Sequence, residues 1–190
     1  MRVARENSID LAIKILSDGG TLVYPTETSY GLGCDATNSQ AVAKIFSLKN
    51  RPMGKGMTIL VKDIKEAEKY IKINAEAKEI IKKYWPGALN VAAPLLPASP
   101  IVKDCAIGGF QSVRVSSHPW VQALLEKYPN PLVSTSANLS GRPDIYDLKL
   151  LEIKPDLIID DGILPTRKPS TLIKIGDNGI KVLRQGEIKV

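Results

Sequence analysis

Apolar positions near the start of the chain recur at helical spacing, at Ile9, Ala12, Ile13 and Leu16, with Ser8 placed to cap the helix and Gly19 and Gly20 to stop it. The rhythm then changes. Residues 21–24, TLVY, read as a strand running into Pro25, where a central ladder cannot continue, so a loop is expected through PTETSYGLGCDAT. Gly31 and Gly33 in that loop suit positive φ or a close approach of backbone to a ligand. Asn38 can cap a second helix with Val42, Ile45 and Phe46 on one face, followed by a strand at 57–61. Short helices are expected at 63–71 and 74–84, then a turn into a strand within WPGALNVAAPLLP, then an irregular stretch at 97–109.

Residues 111–115 alternate as a strand, with Arg114 facing away from Val113 and Val115. Ser117 can cap a helix through Lys127 with Pro119 in its first turn, and His118 reads as a surface or helix-start residue. A strand through Leu132 and Val133 follows, then a short helix in DLKLLEI and a strand in DLIIDDG. STLIKI and IKVLRQG read as a hairpin turning around Asp177, Asn178 and Gly179. Strands interspersed with helices, ending in a hairpin, predict an α/β protein with a mixed sheet. No repeat or linker divides residues 1–190, so one domain is expected.

The richest chemistry lies at 131–143, PLVSTSANLSGRP, where a strand gives way to a loop bearing Ser134, Thr135, Ser136, Asn138 and Ser140. If the strand persists, Ser134 and Ser136 share a face. Such groups can hold a polyanion or zwitterion without adding charge, or simply cap their own turn. A second cluster, Lys49, Arg51 and Lys55, stands at a helix exit among Pro52, Gly54 and Gly56. It suits phosphate, though cations at a helix C-terminus also complement the dipole. Arg114 is either an edge-strand gatekeeper or a carboxylate fork. Trp85 reads as a core anchor rather than a stacking platform, Glu27 and Asp35 as carboxylates able to assist, and Asp35 alternatively as a solvated or turn-capping residue.

Composition narrows the partners. With 26 Lys and Arg against 20 Asp and Glu, the net charge of +6 favours an anionic partner, although many lysines alternate with glutamates as on a solvated helix face. Cys34 and Cys105 lack CxxC spacing, and the lone His118 cannot build a histidine metal site, so zinc and Cys-His catalysis are not expected. There is no P-loop motif, and GLGCDA lacks the third glycine of a dinucleotide fingerprint. No run reaches membrane-spanning length and no signal peptide is evident, so a soluble, cytoplasmic protein is expected.

Taken together, YPTETSYGLGCD, LKNRP with Lys55, VRVSSHP, STSANLSGRP, PST and LRQG resemble the YrdC-like family of single-domain threonylcarbamoyl-AMP synthases. The pairing of Lys49-x-Arg51 with Ser136-x-Asn138 matches the family's KxR and SxN elements. The resemblance implies a twisted open α/β sheet with a concave basic cavity. It implies formation of L-threonylcarbamoyl-AMP and pyrophosphate from L-threonine, bicarbonate or CO2, and ATP carrying Mg²⁺, without a tightly bound prosthetic group. The product would pass to a separate transferase that modifies tRNA position 37.

By the same resemblance, Lys49 and Arg51 are catalytic. Lys49, Arg51, Lys55, Ser136, Asn138 and Arg184 bind ATP, and Thr28, Arg114, Ser134 and Ser170 bind threonine. No residue is assigned to metal. Two places depart from the family's usual pattern: Ala88 and Asn90 in WPGALN, and Asp144-Ile-Tyr146 after SGRP, where no nucleotide contact is assigned. A non-catalytic RNA-binding module of the translation apparatus is the alternative, suggested by the charge and opposed by an aromatic content of 5%. Hydrogenase-maturation carbamoyltransferases carry similar domains but are much longer chains.

Overall fold

The computed structural model describes residues 1–176 and 179–190. The strands are β1 (Arg2–Ala4), β2 (Leu22–Pro25), β3 (Tyr30–Gly33), β4 (Thr58–Leu60), β5 (Leu89–Pro94), β6 (Phe110–Arg114), β7 (Leu132–Ser136), β8 (Leu157–Asp160), β9 (Thr171–Gly176) and β10 (Gly179–Arg184). Among the described residues they form one sheet in the order β1-β8-β2-β3-β7-β4-β6-β5-β9-β10, with parallel and antiparallel neighbours mixed. The helices are α1 (Ile9–Ser17), α2 (Ser39–Leu48), α3 (Ile64–Ala67), α4 (Ala75–Tyr84) and α5 (Pro119–Lys127).

Alternation along the central strands sorts the residues by face. Val133, Ile59, Val113, Val91 and Ile173 are aligned across β7, β4, β6, β5 and β9, and all five are fully buried. They join Val42, Ile45 and Phe46 of α2 and Ala77 and Ile81 of α4 in the larger core. One step along each strand, the aligned row reads Ser134, Thr58, Ser112, Ala92 and Lys174, which must face the other way. That second face is half covered. Leu22, Tyr24, Leu60, Leu132, Leu157 and Ile159 pack there on Ala12 and Leu16 of α1 and on Trp120, Leu124 and Leu125 of α5. The rest of the face stays open, so the alternation that builds the core also lays down a polar floor.

Several expectations are corrected. The segment after Pro25 is not all loop: residues 30–33 pair antiparallel with β2 and with β7. Gly33 permits this, because a Cβ there would lie 2.1 Å from the Val133 carbonyl oxygen. Neither Gly31 nor Gly33 has positive φ.

Ser8 precedes α1 but makes no side-chain cap, since its hydroxyl donates to the Arg5 carbonyl and accepts from the Trp120 indole. His118, not Ser117, caps α5, its Nδ1 accepting from the Trp120 amide. The helix expected at 63–71 is the single turn α3, capped by Asp63, and DLKLLEI contributes only a 3₁₀ turn at Leu148–Leu150. Asn38 caps α2 as expected, and Asn74 caps α4. β9 and β10 pair antiparallel, while the turn residues Asp177 and Asn178 lie outside the described residues. Trp85 is buried with its indole donating to the Leu89 carbonyl, and Asp35 accepts from Thr37, Tyr128 and Asn130 at its turn.

Candidate active site

Above the uncovered half of the sheet lies a cavity of about 470 Å³, within the range of ligand sites. Thr28, Arg51, Lys55, Arg114, Ser134, Ser136, Ser170 and Arg184 line it, so eight of the ten sequence-selected residues meet around one space. Lys174 makes a fifth cation, against Asp144 as the one carboxylate among the described lining residues.

Lys49 and Asn138 stand outside that lining. Lys49 is 1% exposed, and its ammonium donates to the main-chain carbonyls of Ser136 and Asn138 at 2.5 and 2.6 Å and to Asn138 Oδ1 at 3.0 Å. Ser136 Oγ donates to the same Oδ1, and Asn138 Nδ2 donates to the carbonyls of Arg142 and Pro143. The Ser140 amide returns to the Lys49 carbonyl at 3.0 Å. The two distant motifs are therefore joined physically, with the lysine as a clamp behind the wall that Ser136 presents to the cavity. Burial, reinforced by Arg51 and opposed by Asp144, pushes the Lys49 pKa down to about 8, which leaves it mostly an ammonium at neutral pH.

Arg51 folds over its own loop, donating from Nε to the Lys55 carbonyl and from Nη2 to those of Lys55 and Gly56. This fixes the Pro-Gly hinge and leaves the Nη1 side without a partner among the described residues. Arg184 donates from Nε to the Ser170 carbonyl and from Nη2 to Ser170 Oγ, both at 3.0 Å. PST and LRQG meet here because Gly186 lets the chain pass close to Pro169 and Ser170, where a Cβ would lie 2.0 Å from the Pro169 oxygen.

At the other end, Arg114 is held on three sides. Its Nη2 lies 2.6 Å from Glu27 Oε1, its Nε donates to the Gly87 carbonyl at 3.2 Å, and its Nη1 reaches Thr28 Oγ1 at 3.5 Å. Glu27 also accepts from Ser116 Oγ at 2.5 Å and from the Ser117 amide. Burial pushes the Glu27 carboxyl up, but Arg114 and these two donors outweigh it and hold the group below its ordinary value. The edge-gatekeeper reading of Arg114 is thereby set aside: β6 lies between β4 and β5, and the side chain is buried.

The sequence reading missed Thr58, Asn90, Ser112 and Lys174 on the floor. Period-two alternation from Arg114 reaches Ser112, but the partners on other strands follow only from register. Cys105 also lines the cavity, and burial, with Asp104 adding to it, pushes its thiol up to about 12, so it sits there protonated.

An open mixed sheet with one half-covered face, and above it a cavity lined, among the described residues, by five cations, one carboxylate and a row of hydroxyls, marks the class as an α/β protein with room for an anionic small molecule. Comparison with known proteins makes this particular: residues 14–186 match the Sua5/YciO/YrdC family, described as "Telomere recombination", and the chain belongs to that family.

Proteins named threonylcarbamoyl-AMP synthase are similar over most of their length. One from Coxiella burnetii is 34% identical over 172 residues, covering 87% of this chain and 91% of that protein. One from Stenotrophomonas maltophilia is 37% identical over 166 residues, covering 84% and 87%. The crystal structure of P. abyssi Sua5 complexed with L-threonine superimposes with a TM-score of 0.88 at 30% identity, over 98% of this chain and 56% of that longer one. These enzyme names do not favour the RNA-binding alternative. Among the described residues no helix is long and apolar enough to cross a membrane.

Proposed function

We propose that this chain is an L-threonylcarbamoyladenylate synthase, forming threonylcarbamoyl-AMP and pyrophosphate from L-threonine, bicarbonate or CO2, and ATP. The observation that carries the reading is the single cavity in which a carboxylate-binding arginine, hydroxyl groups and rim cations converge.

In this reading the neutral threonine amine attacks CO2, a C–N bond forming as one C–O π bond opens, and an N–H proton leaves to solvent to give an N-carboxylate. That carbamate oxygen attacks the α-phosphorus of ATP in line, and the bond to the β,γ-phosphates breaks to release pyrophosphate. Both partners are anions, so the protein's task is to cancel repulsion and align the reactants rather than to supply a covalent nucleophile. Arg51, Lys55 and Arg184 line the cavity as cations for the phosphates, with Ser136 on the nucleotide side. Lys49 and Asn138 act one step back, by shaping the wall that holds Ser136.

Arg114 takes the α-carboxylate of threonine with Thr28 and Ser134 beside it, and Glu27 keeps the guanidinium in place. Ser170, engaged by Arg184, lines the same cavity and serves threonine in this reading. Magnesium enters with the substrate as MgATP in this reading. The unstable mixed anhydride then passes to a separate tRNA-modifying transferase, which fits work in the cytoplasm.

The test is pyrophosphate release with mass spectrometry of the product, with each substrate omitted in turn. The adenylate is expected only with L-threonine, bicarbonate and ATP all present. Orthophosphate release, or turnover indifferent to the amino acid, sinks the reading.

A further inference from the structure

Asn90, Thr58 and Ser112 form a polar chain on the cavity floor that none of the roles above uses. They come from three strands. Thr58 of β4 is aligned with Ser112 of β6, and Ser112 with Ala92 of β5, two residues beyond Asn90 on the same face. Continuing the antiparallel register from the Val91 and Val113 pair sets Asn90 level with Arg114. Asn90 Nδ2 donates to Thr58 Oγ1 at 2.8 Å, and Thr58 and Ser112 share a hydrogen bond at 3.0 Å.

The chain has an unsatisfied end. Asn90 is 7% exposed and lines the cavity, yet its Oδ1 is a buried acceptor with no partner among the described residues. A buried acceptor left in this state costs free energy, and a donor brought by a ligand would recover it. The hydrogens can be counted. Two hydroxyls sharing one bond leave one hydroxyl hydrogen uncommitted, and one Nδ2 hydrogen is likewise free of Thr58. The strip therefore offers both an acceptor and donors. An acceptor-only carboxylate or phosphate would leave Oδ1 unpaired, and a donor-only ammonium would leave the free hydrogens unpaired. A hydroxyl satisfies both sides.

We propose that Asn90, with Thr58 and Ser112, is a hydroxyl-reading subsite that selects a β-hydroxy amino acid held by its carboxylate on Arg114. This rests on the synthase reading and adds to it the residues that tell threonine from its apolar isostere, valine.

The experiment compares L-threonine with L-valine on the wild-type protein, on Asn90→Leu and on Thr58→Val. It measures kcat/KM for pyrophosphate release and, independently of turnover, amino-acid binding by calorimetry, with thermal melts and ATP titration of each variant. A site built around a hydroxyl rejects the analogue lacking it strongly, so the wild-type preference for threonine is expected to exceed about 100-fold. Either variant should cut that ratio at least tenfold, mainly by weakening threonine while ATP binding stays near wild type.

Thr58→Val carries the test if Asn90→Leu fails to fold. A threonine-to-valine ratio unmoved in folded variants, with wild-type synthase activity intact, overturns the subsite alone. Wild-type protein that neither binds nor turns over either amino acid overturns the synthase reading as well.

Discussion

Replacing Lys49 by methionine separates a clamp from a phosphate ligand. Methionine keeps much of the buried stem and removes the ammonium, so the Ser136 and Asn138 carbonyls lose their donor, whereas Asn138 Oδ1 keeps the Ser136 hydroxyl. Each buried acceptor left unpaired costs about 1–3 kcal/mol, which gives roughly 2–6 kcal/mol for two. Relief from holding an ammonium out of water returns part of that, leaving a net loss of about 3 kcal/mol. For a domain of this size, one kcal/mol moves the melting temperature by about 2–4 °C, so a fall of roughly 6–12 °C is expected. Thermal unfolding followed by circular dichroism measures it, and calorimetric titration with ATP accompanies it. A Tm unchanged to within about 1 °C, together with a large salt-sensitive loss of ATP affinity, would show that the ammonium meets phosphate and would refute the clamp.

Arg114→Lys should weaken threonine far more than ATP in calorimetry, because a point charge cannot serve Glu27, Gly87 and a substrate carboxylate together. Glu27 is held below its ordinary pKa of 4.5 in the folded protein, so the unfolded chain binds its proton first as pH falls. Its stabilisation is therefore present above pH 4.5 and disappears as pH drops through the folded value, and urea midpoints of Glu27→Gln should fall less steeply than wild type below that pH. Gly186→Ala forces a Cβ to within 2.0 Å of the Pro169 oxygen, and a loss of about 1–3 kcal/mol is expected, with ATP affinity falling as Arg184 leaves Ser170. Normal stability and affinity in that variant would disconnect the C-terminal turn from the site.

What could be read in advance follows from what each signal encodes. α2 was legible because an asparagine cap and helical apolar spacing act locally, and Asn38 bonds as its residue type suggests. β3 was not, since YGLG has neither alternation nor β-branched residues, and its pairing depends on a glycine admitting the Val133 carbonyl from a strand a hundred residues away. The helix expected at 63–71 is one turn although Ile64, Ala67, Tyr70 and Ile71 lie at helical spacing and pack on the core, and DLKLLEI holds only a 3₁₀ turn, so apolar spacing alone did not set their length.

At the site, hydroxyls beside a strand end and cations beside glycines pointed to most of the cavity lining. Residue type alone could not say that Lys49 would turn towards carbonyls, because an ammonium that meets phosphate and one that meets peptide oxygen look identical in sequence. Glu27 needed Arg114, 87 positions away, to acquire a role. Thr58 and Asn90 needed the strand order.

That strand order also governs how the protein comes to be folded. β8, from residues 157–160, sits between β1 and β2, while β9, from 171–176, completes the sheet beside β5. The three-residue β4 is the seam where the two halves meet, pairing with β7 on one side and β6 on the other. Each half thus waits for a segment far along the chain from its other strands, and the cavity floor that spans the seam waits for both. Such non-local closure favours slow folding, with the early strands exposing unpaired edges until the last ones arrive. A polypeptide made only as far as residue 156 therefore still has no complete floor on which to bind a substrate.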